Sequence, residues 1–177
     1  PDGIAEEEVD EARAGDLHGI GLSSNDLSGW NLANQNLTDA DFDYATLTSA
    51  NLSGANLTDA SFNYATLSNA NLSGAAVTGA SFGSTTSKGF TKEQLYSTAS
   101  YQAGDLHGIG VYNNDLTGWD FAGQDLTEAN FGATRRGPSL VPGATLTSAN
   151  LSGANLTDAY FAYATLSNAD LSGADTR

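Results

Sequence analysis

Asp39, Asp41 and Asp43 alternate along the chain with the spacing that opens a calcium-binding loop. That loop also needs a glycine at its sharp turn and a bidentate glutamate at its end. Tyr44 and Ala50 stand in those places, so the three aspartates read as solvated surface. His18 and His107 each follow an Asp-Leu pair at matching points of a duplicated segment. With 2 His and no Cys, neither a multi-histidine nor a thiolate metal centre can form. No Ser-His-Asp set stands out from the abundant Ser and Thr. Six Asn-Leu-Ser/Thr sequons, at Asn36, Asn51, Asn56, Asn71, Asn150 and Asn155, are by-products of a sequence repeat. The one basic cluster is Arg135-Arg136-Gly137-Pro138-Ser139-Leu140-Val141. Its chemistry is recognition, not reaction, with Arg135, Arg136, Ser139 and Leu140 as candidate contact residues. A recognition loop and a tolerated insertion stand as equal readings. No catalytic, cofactor or metal residue is assigned. The chain is expected not to be an enzyme and to need no cofactor.

The remaining composition narrows the partners. In 177 residues there are 21 acidic and 6 basic side chains, a formal net charge of −15. Such a surface repels nucleic acid and anionic lipid, so neither direct nucleic-acid binding nor a membrane partner is expected. An unidentified protein partner is. No apolar run approaches the roughly 18 residues of a membrane span. A chain that starts at Pro1 without Met suggests processing or trimming.

What must position any site is a repeat of five residues. Large apolar residues recur without a break at Leu17, Leu22, Leu27, Leu32, Leu37, Phe42, Leu47, Leu52, Leu57, Phe62, Leu67, Leu72, Val77 and Phe82. Two residues before each lies a second series, which settles into Ala from Ala40 to Ala80. Period five is neither the 3.6 of a helix nor the 2 of a strand. It suits a coil with flat faces and sharp corners, one large and one small residue pointing inward on each face. Phe42, Phe62 and Phe82 recur every 20 residues, with Tyr44 and Tyr64 two residues later at an outward position, so four units complete a coil.

Segments such as Ala50-Asn51-Leu52-Ser53-Gly54 and Ala55-Asn56-Leu57-Thr58-Asp59 closely resemble the pentapeptide-repeat family. The resemblance implies an all-β solenoid: a right-handed quadrilateral β-helix with short covering helices. Its expected core includes Phe42, Phe62, Phe82, Phe131, Phe161 and Leu57. Trp30 and Trp119 fill the coil ends in place of the small Ala.

The pattern returns at Leu106. Residues 104–131 match 15–42 at an offset of 89, and residues 144–174 match 45–75 at an offset of 99 with three differences. The organisation expected is a capping helix within 1–14, a first tract over 15–84, a linker with a short helix over 85–103, and a second tract over 104–175. Thr91-Lys92-Glu93-Gln94 is a capping-box pattern flanked by Phe90 and Leu95 at staple positions, which predicts a helix over about 92–99 lying against the solenoid. The ten residues by which the offsets differ fall near 132–143. Counting them as two more repeats would put Arg136 inward, an unpaired charge in an apolar column, so a loop is preferred.

A solid column of Leu and Phe leaves no cavity for a substrate. The leading reading is a non-enzymatic solenoid scaffold that presents surfaces to a protein partner. The family resemblance adds a DNA-mimic inhibitor or protector of bacterial DNA gyrase or topoisomerase IV as the alternative. An acidic stripe continuous over several coils would favour mimicry. A surface or matrix structural repeat, or an engineered repeat protein, also fits the near-identical blocks. The last coil has no visible cover, which admits end-to-end self-association. The resemblance points to a bacterial protein and leaves cytoplasmic and exported locations open.

Overall fold

The computed structural model describes residues 16–136 and 139–177. The expected N-terminal capping helix lies outside the described residues. From Asp16 the backbone climbs in a solenoid whose successive coils pair in parallel. Four positions per coil bridge upward: Asp16 to Asn36, Gly21 to Asp41, Asp26 to Thr46 and Asn31 to Asn51. We call the sides centred on Leu17, Leu22, Leu27 and Leu32 the first to fourth faces.

Each five-residue unit makes the same bonds. The Leu37 N–H donates to the Asn56 carbonyl in the coil above at 2.8 Å, and the Asp39 N–H to the Thr58 carbonyl at 3.0 Å. The Ala40 N–H turns back to the Leu37 carbonyl at 3.1 Å, closing a tight turn. A turn every five residues limits each face to a single bridging residue, so the coil contains no long strands. The second central residue of such a turn must take a left-handed conformation. Asp39, Ser49, Asp59 and Asn69 do so, with φ between 57° and 59°. Tyr44 and Tyr64 do so at 62°, an unusual place for a bulky side chain. Their rings stack at 4.9 Å, a contact that offsets part of the strain.

The large centres fill the interior. Phe42, Phe62, Phe82, Phe131 and Leu57 are wholly buried, and Trp30 and Trp119 nearly so. Phe161, in the last coil, is only partly buried, although it stacks on Phe131 at 4.8 Å.

Two coils are longer than 20 residues. Ser81 pairs with Gly110, 29 residues on, so residues 83–104 occupy the third and fourth faces of one coil instead of hanging outside it. They form a 3-10 turn at Thr86–Lys88, then α1 (Lys92–Tyr96) and α2 (Ala99–Gln102). The capping box is present, with Thr91 and Gln94 bonded reciprocally. The helix expected over 92–99 is broken at Ser97 and Thr98, because the Ser97 carbonyl is taken by the Gly74 N–H of the coil below at 2.8 Å. Thr98 then caps α2. Side chains stand in for the missing ladder: Gln94 Nε2 donates to the Leu67 and Ala70 carbonyls at 2.8 Å each, and Ser100 Oγ accepts from the Val77 N–H at 2.9 Å. Val111 is the next second-face centre above Phe82. Phe90 enters the column beside it and stacks on Phe82 at 4.6 Å.

The second lengthened coil holds the ten extra residues. Asp115 pairs with Thr145 and Asn130 with Tyr160, each 30 residues on. The surplus leaves the coil as an antiparallel hairpin, β1 (Thr134–Arg136) with β2 (Ser139–Val141).

Candidate interaction surfaces

With the interior filled, functional chemistry is confined to the faces. Acid is unevenly shared. Six of the 21 acidic residues lie in residues 2–11, leaving 15 among the described residues. The first face carries eight of these: Asp16, Asp39, Asp59, Asp105, Asp125, Glu128, Asp158 and Asp175. Its corner column reads Asp39, Asp59, Gly79, Gly108, Glu128 and Asp158 upward, so two glycine coils divide the carboxylates into two pairs. His18 lies 3.9 Å from Asp39 across the same corner. Asp41 and Asp43 sit on the second face, and Asp43 accepts hydrogen bonds from the Ser61 hydroxyl and the Asn63 N–H. Among the described residues no group of His, Cys, Asp or Glu could hold a metal ion.

The bridging aspartates fold locally. Asp125 Oδ1 accepts from the Thr127 hydroxyl at 2.6 Å and from its N–H at 3.0 Å. These bonds hold its carboxyl below the ordinary carboxylate range. Asn155 makes the same pair of bonds to Thr157, so the geometry needs an oxygen and not a charge. A group whose folded value is depressed contributes stability that is complete above its unfolded pKa, about 4, and is lost as pH falls through the folded value. Asp125→Asn keeps the acceptor oxygen but not the charge, so it is expected to melt slightly below the parent at pH 7 and to lose part of the parent's decline below about pH 4. Paired melting curves across that range check this.

The second face differs in kind. Five of the seven tyrosines lie on it: Tyr44, Tyr64, Tyr112, Tyr160 and Tyr163. The hairpin folds beside them, and a cleft of about 270 Å³ between the two is lined by Asp43, Tyr64, Tyr112, Arg135 and Val141. Burial, then the neighbouring Tyr64 and Asp43, push the Tyr112 hydroxyl up to about 12. The hairpin is rooted by two glycines. A Cβ on Gly132 would strike the Tyr160 ring, and one on Gly143 would come within 2.6 Å of the Ala164 nitrogen. Val141 turns inward and is buried, whereas Arg135, Ser139 and Leu140 are exposed. Arg136 pairs with Ser139 in the strand register. Leu140→Ala should leave melting unchanged, since its side chain faces solvent. A calorimetric scan checks it, and a fall of several degrees would mean the tip is packed.

An open cleft of about 540 Å³ beside α1 brings Lys92, Glu93 and Asp115 around Phe90 and Trp119. It holds both signs of charge, and its hydroxyl–carboxylate contact, Thr117 to Asp115 at 2.6 Å, is the same local bond that Thr127 makes to Asp125. At the C-terminal end Leu166 is half-buried and Leu171 exposed. Among the described residues no helix is long and apolar enough to cross a membrane.

The tyrosines Tyr112, Tyr160 and Tyr163 were not evident as one surface from their residue types alone. Their common face shows only when positions are counted through the 29- and 30-residue coils.

These coils, paired every 20 residues around Leu and Phe centres, match the family described as pentapeptide repeats, in 8 copies over residues 16–54, 50–85 and 143–175. The chain belongs to that family. It is similar to HetL of Nostoc sp. strain PCC 7120, a pentapeptide repeat protein involved in heterocyst differentiation regulation. The identity is 30% over 92% of this chain and 72% of that one, with a TM-score of 0.54. A pentapeptide repeat protein of the Arabidopsis thaliana thylakoid lumen is 22% identical over 80% of this chain and 68% of its own, with a TM-score of 0.35. QnrB1, a plasmid-mediated fluoroquinolone resistance protein, is 17% identical over 92% and 91%, with a TM-score of 0.37. No match is found among curated protein sequences.

Proposed function

We propose that this protein is a non-enzymatic scaffold whose solenoid presents its faces to a protein partner. The observation that carries this reading is the packed interior. The centres from Leu17 to Leu156 are buried in one cluster, which leaves the outward positions of each coil to carry any contact with a partner. The right-handed, square-sectioned coil implied by the family resemblance belongs to the same proposal, and the four bridging positions per coil support it.

The acidic first face favours a second reading, a mimic of duplex DNA that occupies gyrase or topoisomerase IV. Against it stands the break at Gly79 and Gly108, which interrupts the corner column for two coils and leaves Asp105 as the first face's one carboxylate there. A phosphate backbone carries charge at every step and has no such gap. Titrating the protein into a gyrase supercoiling assay, with and without a fluoroquinolone, separates the two. The scaffold reading expects no change in supercoiling or drug sensitivity. Inhibition or drug protection at micromolar concentration would place mimicry first and make the first face the site.

A further inference from the structure

Five large hydrophobic residues are exposed among the described residues, and four of them fall on the second face or its hairpin: Tyr44 (41%), Leu140 (53%), Tyr160 (50%) and Tyr163 (77%). Elsewhere the faces present Ser, Thr, Asn and Asp. Tyrosine and arginine are enriched among the residues that dominate binding energy at protein interfaces, and an exposed aliphatic tip adds apolar area to bury. The tyrosines also lose little conformational freedom when covered, having few rotatable bonds.

The patch is built on rigid parts. Tyr160 lies against Gly132 and the backbone at Tyr163 against Gly143, so the two most exposed rings flank the two roots of the hairpin. Tyr163 is held at φ 61°, where a bulky side chain is strained. Leu140 sits across from Arg135 in the strand register. Charge then selects the occupant. On a chain of net charge −15, β1 carries two of the six basic residues, and Arg135 is exposed at the edge of this patch. Asp43 lines the cleft beside Arg135 but is engaged by the Ser61 hydroxyl and the Asn63 N–H; a basic partner would be drawn to the eight carboxylates of the first face, and an acidic one gains most by meeting the hairpin.

We propose that the second face and its hairpin form the docking surface for an acidic protein segment bearing aliphatic side chains, whose apolar residues pack on Leu140 and the exposed tyrosines while its carboxylates meet Arg135. This rests on the scaffold reading above and names its surface and partner class.

The test uses the full chain and three fluorescein-labelled peptides of equal length, one of Asp, Glu and Leu, one of Lys and Leu, and one of Ser and Gly. Binding is followed by anisotropy and mapped by amide chemical shifts. The acidic peptide should bind, with weaker binding in higher salt, and should shift Leu140, Tyr160 and Tyr163. Leu140→Ser, Tyr163→Ser and Arg135→Glu should each weaken it by about tenfold or more, at unchanged melting temperature. Acidic-peptide binding indifferent to all three variants would overturn the proposal. So would dimers that Leu140→Ser dissolves, which would give the face to a second copy. The Lys-Leu peptide binding alone, at the first face, would overturn it and leave the scaffold reading standing. No shift from any peptide on any face would overturn the proposal and leave the scaffold reading to the supercoiling assay.

Discussion

Leu57→Asp is expected to abolish or nearly abolish the folded state at ordinary temperatures. Leu57 is wholly buried; its N–H donates to the Ala76 carbonyl of the coil above, and its carbonyl accepts from the Ala60 N–H that closes the turn of its own coil. Losing the leucine alone costs about 2–5 kcal/mol. The carboxylate enters an apolar column with Leu37 below and Val77 above it, so it must ionise unpaired or bind a proton far above its normal pKa, a further penalty of several kcal/mol. Against a total stability of about 5–15 kcal/mol, little remains. For a chain of this length about 2–4 °C of melting temperature goes with each kcal/mol, so the fall should exceed roughly 15 °C if any transition survives. Ser73→Asp, on an exposed outward position, should move melting by about 0.5 kcal/mol or less. Near-equal melting of the two variants would mean that the five-residue centres do not point inward.

The second large effect lies at Asn114. This side chain is 2% exposed and satisfies four backbone groups where the chain departs into the helical segment. Its Oδ1 accepts from the Thr85 and Thr86 N–H groups at 2.8 and 2.9 Å. Its Nδ2 donates to the Phe82 and Val111 carbonyls at 2.8 and 3.2 Å. Asn114→Ala strands all four, and at about 1–3 kcal/mol for each unsatisfied buried group, eased by some local rehydration, the loss should reach about 3–6 kcal/mol. Asn25 is the matching residue of the first block and makes only one local bond, to the Ser23 carbonyl at 3.3 Å. Asn25→Ala should therefore cost about 1 kcal/mol or less. Denaturant titrations of the two variants compare them directly. Equal losses would show that the Asn114 clamp contributes nothing beyond its place in the repeat.

That contrast shows where the sequence can and cannot be read. The inward series from Leu17 to Phe82 was legible because a strict period needs no tertiary information, and the 20-residue recurrence of Phe42, Phe62 and Phe82 set the coil length. Thr91 and Gln94 announced a helix start, since capping is local. What capping could not show is that Ser97 must surrender its carbonyl to Gly74, which splits the helix, or that Phe90 would join the ring column beside Val111. Those facts depend on which coil the segment lands in. Asn25 and Asn114 are the same residue in matching sequence, and only the neighbour above or below distinguishes them. The candidate loop at Arg135 and Leu140 was visible as a charge anomaly. Its tyrosine companions were not, because Tyr160 and Tyr163 join Tyr44 on one face only after the 29- and 30-residue coils are counted through.

The central structural claim is that the stack runs unbroken through both lengthened coils. Trp30 lies below the helical segment and Trp119 above it, and these are the only tryptophans in the chain. Trp30→Phe and Trp119→Phe each leave one fluorescent reporter, so urea unfolding followed by tryptophan emission reads the two sides separately. A continuous ladder, stitched by the Leu67, Gly74 and Val77 amides to the segment above them, should give coincident midpoints and slopes for the two reporters. Two transitions clearly separated in urea, with far-ultraviolet circular dichroism tracing both steps, would mean that two solenoids fold independently on either side of a linker.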